Sequence, residues 1–238
     1  MISGLLLISL APVFIIAFYI YISDKYEKEP FRHLLKALFT GVIIILPVVF
    51  IEKFLISFSY LFEGLSKAAY NAFVVASVCE EGFKYLGFVL IVWGNRNFNE
   101  KFDGIVYSVF ISLGFAAVEN ILYVFQCGFF TGIVRALTAV PAHALFGTVM
   151  GYYFGLARFY PQMKLKYLIL ALVMPFIWHG LYDFLLLGHN QILLLLLIPF
   201  IIFFWINGFR KMKKLSDESE FRYINIMQSG VPDNKDIK

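Results

Sequence analysis

The sequence is short of charge. Only 15% of its 238 residues are Asp, Glu, Lys or Arg, while 61% are hydrophobic and the mean hydropathy is +0.79. A soluble domain is about half apolar and a quarter charged. One water-soluble core of this size cannot bury the excess, so a soluble globular protein is excluded. Cysteine is scarce too. Cys79 and Cys127 both fall within or at the edge of apolar runs, which excludes a disulfide framework. The first 22 residues lack a basic leader and a small-residue cleavage site, so they are expected to stay as a helix rather than leave as a signal peptide. There is no internal repeat, no low-complexity tract and no HExxH. The net charge of +4 is not a nucleic-acid signal, because the basic residues sit between apolar runs rather than on one stripe.

What is present is a series of long apolar runs. Crossing a bilayer as a helix takes about 20 such residues. Seven stretches qualify: 2–22, 34–51, 68–93, 104–125, 133–156, 167–187 and 192–209. The 28 Phe residues suit lipid-facing surfaces, and Tyr and Trp suit the interfacial belts. Lys and Arg concentrate in the connections 23–33, 94–103 and 157–166 and just after residue 209; connections 126–132 and 188–191 have none. That bias puts the amino terminus outside and the carboxyl terminus in the cytoplasm. The expectation is an all-α, polytopic transmembrane bundle of about seven spans. Residues 1–210 form the membrane domain, and 211–238 a polar cytoplasmic tail whose part from Leu215 onward is disordered.

Charged residues inside the runs are the informative feature. The third run holds Glu80, Glu81 and Lys84, and the fourth holds Glu119 beside Asn120. The fifth holds Arg135 and His143, and the sixth holds His179 and Asp183. A charge at the centre of an inserted helix costs about 2.5–3.5 kcal/mol, so four carboxylates facing lipid would cost roughly 10 kcal/mol. They must meet each other, a cavity or water. Lys84 can answer Glu80 at i,i+4 or Glu81 at i,i+3, and His179 and Asp183 share an i,i+4 face. Gly147, Gly151 and Gly155 come after His143 and allow a close helix approach. Blander roles stand beside these. Lys84 could only fix helix register, His143 could be a satisfied core histidine, and Asp183 a helix-end cap. Cys79 reads as a small buried residue, and Arg135 as an outer-edge side chain reaching for the interface.

Three segments in order, Glu80-Glu81-Gly-Phe-Lys84, Phe115-Ala-Ala-Val-Glu119-Asn120 and His179-Gly-Leu-Tyr-Asp183, resemble the PrsW family of membrane proteases. Asp24-Lys-Tyr-Glu-Lys-Glu-Pro30 and Asp103-Gly104 are similar to it as well. The wider clan of CAAX-processing and bacteriocin-processing proteases carries an EExxxR motif and usually a histidine where Glu119 stands here. Lys84 takes the basic place at a shorter spacing. The resemblance implies a glutamate-type peptidase of a Gram-positive cell membrane. It implies a first cut in a single-span, membrane-anchored anti-sigma factor, which frees an extracytoplasmic-function sigma factor under envelope stress.

For peptide hydrolysis, Glu80 is the expected general base, because a positioned carboxylate can take a proton from water and return it to the leaving amine. Glu81 lies about 100° round the helix and orients a partner. His179 polarises the scissile carbonyl and Asp183 orients it, with His143 and Asn120 as further donors. No cofactor is required. Zinc stays open, since His143, His179 and one or two carboxylates make an acceptable ligand set. Two other classes also use such groups: a proton- or ion-coupled transporter, and a non-catalytic scaffold or immunity protein.

Overall fold

The computed structural model describes residues 2–222. Among them the chain is helical and contains no strand. Helix α1 (Ile2–Ser23) and α2 (Phe31–Ile56) lead through a 3₁₀ turn to α3 (Gly64–Ala69). A π-helical segment, Tyr70–Ser77, then runs directly into α4 (Val78–Ile91). The chain continues with α5 (Lys101–Cys127), α6 (Phe129–Leu137), α7 (Ala139–Phe159), α8 (Lys164–Leu187) and α9 (Gln191–Asp217). This is a polytopic helical membrane bundle. Among the described residues, six helical stretches are long and apolar enough to span, with α6 and α7 counted as one stretch.

The candidate runs differ from these elements in instructive ways. The third run, 68–93, is divided into α3, the π segment and α4, and it carries three charged residues within one turn and a half. The fifth run breaks at Thr138, and the connection before it shrinks to Gly128, whose φ of 89° is open to glycine. Helix α2 continues past residue 51, so Glu52 and Lys53 lie in the helix rather than in a loop. Helix α9 passes through the boundary at 210 and ends at Asp217, with Met212 and Leu215 buried. The stretch of the expected disordered tail from 223 onward lies outside the described residues.

Helices α5 and α7 form the centre. Every residue from Phe102 to Ala117 is buried, and so is nearly every one from Ala139 to Ala157. Small residues allow this. A Cβ on Gly151 would collide with the carbonyl oxygen of Gly104, and one on Gly104 with the backbone of Gly151 and Gly155. The two backbones therefore touch, as small-residue membrane interfaces permit. Around them, α1, α2 and α9 turn side chains such as Phe14, Phe18, Leu46, Phe50, Leu195 and Ile198 outward, the surface expected to meet lipid.

Alternation of the helices gathers the connections into two groups. At one end lie loops 24–30, 92–100 and 160–163, joined by hydrogen bonds from Asn99 to Glu27 and from Lys101 to Tyr160. At the other end lie residues 57–63, Gly128 and the 188–190 turn.

Candidate functional site

The site begins with one turn of α4. Glu80, Glu81 and Lys84 fall on one side of it, and Lys84 is wholly buried. The Lys84 ammonium has three protons and no acceptor. It donates to Glu80 Oε2 at 3.0 Å, Glu81 Oε1 at 2.8 Å and His143 Nδ1 at 3.1 Å. The Phe115 ring lies 4.4 Å from its nitrogen. Every proton of the cation is used.

That bond assigns the histidine tautomer. Because the ammonium can only donate, His143 Nδ1 accepts, so the ring proton sits on Nε2. Nε2 faces Glu119 Oε2 at 2.8 Å and donates to it. The same carboxylate accepts from Arg135 Nη2 at 2.8 Å, and Arg135 Nε donates to Asn120 Oδ1 at 3.0 Å. Arg135 also lies over the Tyr123 ring at 4.0 Å. It is no free interfacial side chain, as its place near a span end suggested, but part of a chain of charge and hydrogen bonds. Asn120 spends its other end on the Ser9 carbonyl of α1 at 2.9 Å.

His179 reaches in from α8. Its Nδ1 lies 2.9 Å from Glu81 Oε1 and its Nε2 3.3 Å from Asp183 Oδ2. The ring stacks on Phe146 at 4.7 Å and stands edge-on to His143 at 5.5 Å. Ser77, the last residue of the π segment, donates to the Phe176 carbonyl at 2.6 Å and so pins the start of α4 to α8. A wider π turn immediately before functional side chains is a recurrent arrangement, since it re-aims the helical turn beyond it.

These groups border a cavity of about 730 Å³ between the helices. Glu80, Glu119, His143, His179 and Asp183 line it. Glu81, Lys84 and Asn120 do not; they stand behind it and hold the lining residues. The structure thus brings together all seven residues singled out from sequence, five at the cavity wall and two, Glu81 and Asn120, behind it. Sequence reasoning missed Glu52, which lines the same cavity from α2, because it was assigned to a loop. It also left Lys84 as an ordinary pair when it is the hub. Its three-way reach could not be read until His143 was placed beside it.

Glu80, Glu81 and His179 each offer a ligand atom within 4.8 Å of the others, a donor set acceptable to zinc in number and kind. His143 stands outside that triad. The position between the two carboxylates is taken by the Lys84 nitrogen. The lone pair of His143 Nδ1 is held by the same cation, and both His179 nitrogens face carboxylates. In this arrangement the residues do not fit an added divalent ion.

The chain has clear relatives among known proteins. Residues 29–207 match the model of a family described as PrsW family intramembrane metalloprotease. Protease PrsW of Bacillus subtilis is 37% identical over 221 residues, which is 92% of this chain and 96% of that protein. Protease PrsW of Clostridioides difficile is 36% identical over 222 residues, 91% and 93% of the two chains. Protease PrsW of Geobacillus kaustophilus is 40% identical over 182 residues, 76% and 79% of the two chains. No solved structure matches the chain.

Proposed function

Because the chain belongs to the PrsW family of intramembrane proteases, a multi-pass family of the cell membrane, we propose a glutamate-based mechanism and a specific substrate class for this membrane protease. The substrate is a single-span, membrane-anchored anti-sigma factor. The reaction is the first cut of the regulated proteolysis that releases its sigma factor. The observation that carries the catalytic part is Glu80. It is a carboxylate on the wall of an intramembrane cavity, held by a lysine that also binds the buried Glu81 and His143.

Glu80 accepts a proton from a water molecule as that water's oxygen bonds to the scissile carbonyl carbon. The tetrahedral oxyanion then collapses, the C–N bond breaks, and the proton on Glu80 passes to the amine nitrogen. His179 donates to the oxyanion. It must turn one N–H from Asp183 to do so, and the 3.3 Å contact is the longer of its two. Glu81 holds the other nitrogen. Lys84 neutralises one of the paired acids and fixes both. Glu119, with Arg135 and Asn120 behind it, sets the orientation of His143. In this reading no metal enters, which the Lys84 ammonium between the two carboxylates supports.

Co-expression with tagged single-span anti-sigma factors tests this. Glu80→Gln is expected to accumulate in the membrane like the wild type and to leave the substrate whole. Near-normal cleavage by that variant would remove Glu80 from the mechanism.

A further inference from the structure

A second cluster of acids, all but Glu27 buried, lies at the opposite end of the bundle and takes no part in the chemistry above. Asp24, Glu27 and Glu29 come from the loop after α1; Glu100 and Asp103 come from the start of α5. Ligand atoms of Asp24, Glu100 and Asp103 lie within 4.8 Å of one another, and so do those of Glu27, Glu29 and Asp103. Asp24, Glu29 and Asp103 are exposed by 1%, 2% and 0%.

Some of their oxygens are in use. Asp24 Oδ2 accepts from the Glu29 backbone at 3.0 Å, and Asp103 Oδ2 from the backbone of Asn99 and Glu100 at 2.9 and 2.7 Å. Tyr107 donates to Glu29, and Ser219 to Glu100. Yet Asp24 Oδ1, Glu27 Oε2, Glu29 Oε1 and Asp103 Oδ1 are buried and accept nothing from an N–H, a hydroxyl or a cation, and Glu29 and Asp103 meet carboxyl to carboxyl. A buried acceptor left without a partner is destabilising, and more so when charged. The nearby cations are engaged elsewhere. Lys28 donates to the Tyr21 carbonyl at 2.9 Å, Lys101 to Tyr160 and Glu218, and Arg158 to the Trp93 carbonyl. Among the described residues none of the five acids has a Lys, Arg or His nitrogen within ion-pair reach.

We infer that this end of the bundle binds a hard divalent cation, Mg²⁺ or Ca²⁺, on Asp24, Glu100 and Asp103, with Glu27 and Glu29 supplying oxygens from the same loop. The ligand set is all oxygen and strongly anionic, the chemistry those ions select and zinc or copper do not. The ion clamps the loop after α1 to the head of α5.

The test uses the full chain, purified in detergent, stripped with chelator and dialysed against Ca²⁺ alone or Mg²⁺ alone. We expect one bound ion per chain by elemental count. The Asp24→Asn/Glu100→Gln variant should lose affinity at least tenfold. Glu80→Gln should bind like the wild type, which separates this site from the cavity. The unfolding midpoint of the wild-type chain should rise by about 5–10 °C at an ion concentration a hundredfold above Kd. Should the double variant not fold, that shift in the wild-type chain decides the question. No bound ion and no shift with either metal would overturn the site, as would a bound ion that disappears in Glu80→Gln.

Discussion

Lys84→Met removes the cation at the hub while keeping most of the length of the side chain. At an effective dielectric of about 20, unit charges 2.8 and 3.0 Å apart attract by roughly 5–6 kcal/mol each. Desolvation of three buried ions cancels much of that sum. Removing one partner of a buried pair typically costs about 3–5 kcal/mol, mainly by stranding the charge left behind. Here Glu80 would be stranded, Glu81 would keep only His179, and His143 Nδ1 would lose its donor. Against a total stability of about 5–15 kcal/mol, the variant should be destabilised severely. Its unfolding midpoint in detergent and its abundance in the membrane fraction should both fall, and cleavage with them. Glu80→Gln added to Lys84→Met removes the stranded charge. It should recover about 1–3 kcal/mol of the loss as coupling between contacting residues, while cleavage stays absent. A Lys84→Met chain as stable as the wild type would show that the lysine does not neutralise these acids, and the charge assignment of the site would fail with it.

Three further outcomes are expected. Gly151→Ala should force α5 and α7 apart at the Gly104 carbonyl and cost about 1–3 kcal/mol of overpacking strain, read as a lower unfolding midpoint; an unchanged midpoint would mean the interface yields freely. Arg135→Met should lower cleavage more than stability, because it frees the Glu119 carboxylate that orients His143; the ratio of substrate cut to enzyme present measures it. Cleavage by chelator-stripped enzyme, assayed well below its unfolding midpoint, should match the untreated rate, whereas activity restored only by zinc would replace the glutamate mechanism with a metal one.

Much of the site was legible in the sequence because burying charge in lipid is expensive. Glu80, Glu81, Glu119, His143, His179 and Asp183 stood out against apolar runs, and the structure gathers them around one space. Short-range pairs came from helical spacing: Glu80–Lys84, Glu81–Lys84 and His179–Asp183 are all seen. Pairs across helices could not be read that way. The Lys84–His143 and Arg135–Glu119 contacts join residues on different helices, and only packing sets which faces meet. The π segment was invisible for a related reason. Tyr70–Ser77 is as apolar as an ordinary helix, and hydropathy carries no information on whether a turn closes four or five residues back.

That segment behaves as an expansion joint. In an α-helix each residue turns the chain by about 100°, so inserting or deleting one residue swings everything beyond it off its face. A stretch already wound more loosely can absorb such a change by tightening or widening. A one-residue change in α3, at the loop-rich end of the bundle, would meet that joint before it reached α4. Beyond the joint, Ser77 is bolted to α8, and the carboxylates of α4 keep their aim at the cavity.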